Sequence, residues 1–118
     1  MITAVDHAQP ATPPASEDRL RAYHADVPGM TEIPKPPALA ARGCCWSQAG
    51  AAQLHLGIEP GFRPAREAHP GLRVTDIESC AARLTAHGAT ITWDDHPPGR
   101  RLYSTDPVGN RLELLEPG

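Results

Sequence analysis

The chain has no hydrophobic stretch approaching the length of a membrane span. Its first residues, Met1 to Pro14, lack the basic region and apolar run of a secretory leader and carry Asp6, His7 and three prolines instead. The expectation is a cytoplasmic protein without membrane contact. An excess of one charge is missing as well. Lys and Arg number 11 against 14 Asp and Glu, a formal net charge of -3 with the signs interspersed, which argues against nucleic acid or an anionic surface as the main partner. Cysteine is scarce. Cys44, Cys45 and Cys80 are odd in number and the adjacent pair points to opposite faces of a strand, so all three are expected to be reduced packing residues. At 118 residues the chain suits one domain that buries a core without disulfide staples.

What is present is one order of elements, run twice. Residues 2 to 9 read as a strand, and residues 16 to 27 as a helix with Ser16 as N-cap, Glu17 and Asp18 in the first turn, and Leu20, Tyr23 and Val27 along one stripe. Pro28-Gly29 stops it. Strands follow at 30 to 34, 43 to 48 and 52 to 59, with a turn around Gly50 and a Pro34 to Pro37 loop. The second half opens with a strand at 69 to 75. Thr75-Asp76-Ile77-Glu78 has the pattern of a capping box, and Ile77, Ala81 and Leu84 line one face of a helix that ends at Gly88. Strands at 90 to 94, 101 to 105 and 111 to 116 complete it, the last preceded by the turn Asp106 to Asn110. The prediction is an α+β protein of two βαβββ modules, 1 to 59 and 69 to 118, joined by a linker at 60 to 68 and curving around a cavity.

Four residues with metal-ligand chemistry fall at the centres of predicted strands: His7, His55, His69 and Glu113. In Leu54-His55-Leu56 and Leu112-Glu113-Leu114 the alternation of a strand buries the aliphatics and turns the imidazole or carboxylate to the other face, and Leu72 and Val74 oppose His69 in the same way. Converging imidazoles and a carboxylate make a site for a first-row divalent ion. His7, His69 and Glu113 alone form a two-histidine, one-carboxylate set suited to Fe(II) or Mn(II), and adding His55 widens the choice to Ni, Co or Zn. His24, His87 and His96 lie on helices or in a turn and are expected to be solvated. Arg63 and Arg66, in the linker before His69, could hold a substrate carboxylate or phosphonate, against a plain surface pair with Glu67; Trp93 and Tyr103 could line the cavity, against plain packing.

Several stretches resemble the vicinal oxygen chelate superfamily, which includes glyoxalase I, fosfomycin-modifying enzymes, extradiol dioxygenases and bleomycin-resistance proteins. They are Val5-Asp6-His7, Gln53-Leu54-His55-Leu56, Ala68 to Val74 and Asp106 to Leu114. Phe62 to Arg66 is similar to a subgroup of small glyoxalase-like proteins. The resemblance implies metal positions at His7, His55, His69 and Glu113, and a homodimer in which the site is often built between two chains. His55 departs from the glyoxalase I pattern, which has glutamate there. The implied function is a divalent-metal-dependent enzyme acting on a small oxygenated metabolite by isomerase, lyase or dioxygenase chemistry. The alternative is a non-catalytic protein of the bleomycin-resistance type that sequesters an antibiotic or metabolite.

Overall fold

The computed structural model describes residues 1–43 and 45–118. Cys44, expected as a packing residue, lies outside the described residues. The first half contains β1 (Ala11–Thr12), α1 (Glu17–Asp26), β2 (Thr31–Ile33), β3 (Trp46–Ala49), β4 (Ala52–His55) and β5 (Gly57–Ile58). The second contains β6 (Gly71–Arg73), α2 (Ile77–Ala86), β7 (Thr92–Asp94), β8 (Arg100–Thr105) and β9 (Arg111–Glu116). In the second half the strands lie in the order β6-β9-β8-β7, with β6 parallel to β9 and the other pairs antiparallel. The first half repeats that order in two ladders. β2-β3-β4 is antiparallel, β1 runs parallel to β5, and a bridge between Ala8 and Leu54 links the two. The fold is α+β, two βαβββ modules.

The first strand is shorter and later than its sequence suggests. Parallel pairing of Ala8 with Leu54, if continued, would set Asp6 beside Ala52 and Ala4 beside Gly50, at the β3–β4 turn, and among the described residues no strand pairs with residues before Asp6. Pro10 offers no N–H to the ladder, only its carbonyl to Gly57 N at 3.0 Å. The expected strand at 52 to 59 is divided at Leu56, whose N–H turns to the Cys45 carbonyl at 3.0 Å.

Both helices start where expected, but their caps differ. Ser16 occupies the N-cap position of α1 without capping it, because its hydroxyl donates backward to the Pro13 carbonyl at 2.7 Å. At α2 the cap is Asp76 in place of Thr75: its carboxylate accepts from Ser79 N at 3.0 Å, and Glu116 of β9 accepts from Ile77 N at 2.9 Å. Glu78 is drawn instead to the Arg100 guanidinium at 2.6 Å.

The stripe Leu20, Tyr23 and Val27 is buried as its spacing predicts. His24 is buried with it, a correction to its expected solvation. It stands four residues after Leu20, on the same face, and its Nδ1–H donates to the Leu20 carbonyl at 2.8 Å. Burial holds its pKa below the ordinary value. Tyr23 and Val27 join Ile77, Leu84, Leu102, Leu112 and Leu114 in one cluster, so the first helix completes the core of the second module. Asn110 fastens the same junction. Its side chain accepts from Ala65 N at 2.9 Å and donates to the Ala11 carbonyl at 2.8 Å.

Candidate metal centre and adjoining cleft

Glu113 lies between Leu112 and Leu114 of β9, and the alternation that sends both leucines into the core turns its carboxylate to the opposite face. Strand register places it in one row with Gly71, Tyr103 and Thr92. His69 reaches the same face from the segment that enters β6, two residues before that strand begins, although the sequence predicts it within the strand.

His69 Nε2 is 3.1 Å from Glu113 Oε1, and His69 Nδ1 is 2.6 Å from the Glu67 carbonyl oxygen. A carbonyl only accepts, so Nδ1 carries a proton, and in the neutral ring Nε2 then aims a lone pair at a carboxylate oxygen. Two lone pairs this close repel unless a proton or a cation is shared between them. Adjacent ligands on a metal with bonds of about 2.0–2.2 Å stand about 3 Å apart at a right angle. The His69–Glu113 pair therefore has the spacing of two neighbouring corners of a coordination sphere. Arg101 donates to Glu113 Oε2 at 3.1 Å, which leaves Oε1 for ligation.

His7 and His55 form a separate pair. The His7 Nδ1–H donates to Asp6 at 3.0 Å, the backing that metal-binding histidines commonly have, and Nε2 is left as the acceptor. His55 is arranged differently. Its Nε2–H donates to Gln53 Oε1 at 3.0 Å, and its ring lies between two others, with centroids 3.8 Å from Trp46 and 3.8 Å from His7. Burial first, and then the neighbouring His7, hold the His55 pKa below its ordinary value. Among the described residues of one chain, no three His, Cys, Asp or Glu stand together as a metal-binding group. The expected set of four is thus divided, His69 with Glu113 and His7 with His55.

Next to the first pair lies an open cleft of about 500 Å³, lined by Arg66, Arg111, Tyr103, Thr90, Thr92 and Thr105 among others. His69 and Glu113 are not among its lining residues. Tyr103 joins the two regions: its ring is edge-on to His69 with centroids 5.6 Å apart, and the Arg111 guanidinium lies 4.3 Å over its face. Of the substrate-binding residues expected from sequence, Arg66 and Tyr103 line the cleft. Arg63 is exposed on the linker and does not line it, and Glu67 pairs with Arg111 at 3.3 Å. Trp93 is a correction. It pairs with Leu102, whose side chain is in the core, and so lies on the face opposite Tyr103, with the Arg100 guanidinium 4.6 Å from its ring.

A family model described as glyoxalase-like domain matches residues 9–115. The chain belongs to that family. The vicinal oxygen chelate resemblance of its sequence is borne out. A glyoxalase family protein from Bacillus anthracis is 39% identical, with a TM-score of 0.93 over 100% of this chain and 98% of that one. Fosfomycin resistance protein FosX from Listeria monocytogenes, in a variant complexed with Mn(II) and 1S,2S-dihydroxypropylphosphonic acid, is 13% identical with a TM-score of 0.77 over 97% and 90% of the two chains. The antibiotic-binding protein TnmS3 from Streptomyces sp. CB03234 is 22% identical with a TM-score of 0.72 over 99% and 98%. For these last two the likeness is one of fold. No curated protein matches the sequence.

Strand parity also marks further candidate residues on this face. Arg111 and Arg101 stand two positions from Glu113 and Tyr103 and share their face. A hairpin turning at Gly50-Ala51 sets Trp46 directly opposite His55.

Proposed function

We propose that the protein is a divalent-metal-dependent enzyme of isomerase, lyase or dioxygenase type that acts as a homodimer on a small oxygen-rich anion. The observation that carries this reading is His69: its Nδ1–H is committed to the Glu67 carbonyl while Nε2 faces Glu113 Oε1 at 3.1 Å. His69 and Glu113 would supply two ligands, and His7 of a second copy the third, giving a two-histidine, one-carboxylate set that suits Fe(II) or Mn(II). A bound divalent ion would serve as a Lewis acid toward two adjacent oxygens of the substrate.

The chain's own groups do the rest. Glu67 and Arg101 hold His69 and Glu113 in position through the two bonds described above. Arg66 and Arg111, the latter shared with Glu67, put guanidinium groups on the cleft wall, and Thr90, Thr92 and Thr105 add hydroxyls, a combination that suits a carboxylate or phosphonate.

Metal analysis of protein purified without an affinity tag tests the reading. About one ion per chain is expected for the wild type. His69→Ala and Glu113→Ala should lose it with circular dichroism unchanged. Metal-free wild-type protein that is stabilised only by bulky aromatic or cationic drugs would overturn the enzyme reading in favour of a sequestering protein.

A further inference from the structure

The geometry points to His55 as a positioning residue: the middle ring of a Trp46–His55–His7 stack that fixes the ring of His7, and not itself a metal ligand. This inference rests on the reading of His7 as a ligand. A metal bound to an imidazole lies in the plane of the ring, along the nitrogen lone pair. The His7 and His55 planes are inclined by 18° with centroids 3.8 Å apart, so they meet only on the order of 10 Å away, several times the roughly 2 Å reach of a metal–nitrogen bond. As placed, the two rings cannot ligate one ion. The nitrogens agree with the planes. His7 donates through Nδ1 to Asp6 and keeps the outer Nε2 as acceptor, whereas the outer nitrogen of His55 donates to Gln53.

His7 needs such support because the backbone scarcely provides it. Among the described residues, Ala8 is the first held by the sheet, through Ala8 N to the Gln53 carbonyl at 3.2 Å and His55 N to the Ala8 carbonyl at 2.9 Å. Met1 to His7 are exposed. One position beyond the last backbone bond, the His7 ring meets the exposed Asp6 carboxylate at its edge and stacks on His55 through its face. His55 is fixed in turn by Trp46, its register partner on β3, whose ring lies 3° from parallel. The chain thereby extends a stacked aromatic pair from the sheet to the side chain of His7.

Two substitutions separate positioning from ligation. His55→Phe keeps a flat ring without nitrogen, and His55→Ala removes the ring. The measurements are the Mn(II) dissociation constant and, in metal-free protein, the NMR shifts of the His7 ring protons, which a stacked neighbour displaces. Positioning predicts that His55→Phe stays within about 3-fold of wild-type affinity while His55→Ala weakens it by about 10-fold or more, the usual effect of losing a group that orients a ligand. It also predicts that the His7 ring protons move to solvent-exposed shifts in His55→Ala and not in His55→Phe. Equal, large losses of affinity in both variants would make His55 a ligand and overturn the inference. So would unchanged His7 shifts in His55→Ala. If wild-type protein bound no Mn(II), the metal reading would fail by itself, and the metal-free shifts would still decide whether the stack holds His7.

Discussion

Division of the candidate ligand residues into two pairs within one chain leads to a quantitative test with mixed dimers. Consider His7→Ala and Glu113→Ala, each disabling one half of the site. If His7 of one copy meets His69 and Glu113 of the other, both homodimers have two broken sites. The mixed dimer is different. One of its sites lacks both residues, and the other combines the intact His7 of the second variant with the intact Glu113 of the first. Equal amounts, unfolded together and refolded at random, give about half mixed dimers with one good site in two, so about one quarter of wild-type metal should return. The assay is Mn(II) binding followed by electron paramagnetic resonance at fixed chain concentration, with each variant refolded alone as the blank. Each blank should bind at least 10- to 100-fold more weakly than wild type, since loss of an outer partner alone has that effect. No recovery in the mixture, with dimers confirmed by sedimentation, would refute assembly of the site between copies. Full metal content in either variant alone would remove that residue from the site.

Three further outcomes follow from the geometry. Arg111→Ala should weaken the thermal stabilisation given by methylphosphonate or an α-hydroxy acid by about 10-fold in apparent affinity, one charge-assisted contact being lost, whereas Trp93→Phe, on the other face of the sheet, should leave it unchanged. Asp76→Ala should lower stability in urea by about 1 kcal/mol, the usual cost of losing an N-cap, while Thr75→Ala should change it far less, because Asp76 and Glu116 make the bonds there. His24 gives a pH dependence. Its folded pKa lies below the ordinary 6.5, chiefly through burial, so the unfolded chain binds the proton more readily and stability is lost as pH falls through and below that value. Urea titrations between pH 8 and pH 5 should show a decline that is smaller in His24→Gln, and an equal decline in both would assign it to another group.

Much of the fold was legible because the period of a hydrophobic pattern is a local property. Leu112-Glu113-Leu114 fixes which face the carboxylate takes, and Leu20, Tyr23 and Val27 fix the buried stripe of α1, wherever these elements finally pack. That stripe also contains His24, whose polar ring suggests solvent but whose position four residues after Leu20 places it in the core. Caps were less legible. Thr75 and Asp76 both have the chemistry of an N-cap, and the choice was made by Glu116, which arrives from β9 at the other end of the module.

The sequence by itself determined the two βαβββ modules, the faces of their strands and the candidacy of His7, His55, His69 and Glu113. Only the tertiary structure decided how those four residues are grouped. Parity orients a side chain relative to its own strand and carries no distance between strands far apart in sequence. The structure sets His69 against Glu113, 44 residues away in sequence, and closes His55 between Trp46 and His7. It also sends Trp93 and Tyr103 to opposite faces, because β7 enters the sheet with Thr92 opposite Tyr103 and Trp93 opposite Leu102. Register is fixed by long-range hydrogen bonds and by what the core will accept, and a shift of one residue would have reversed those two assignments.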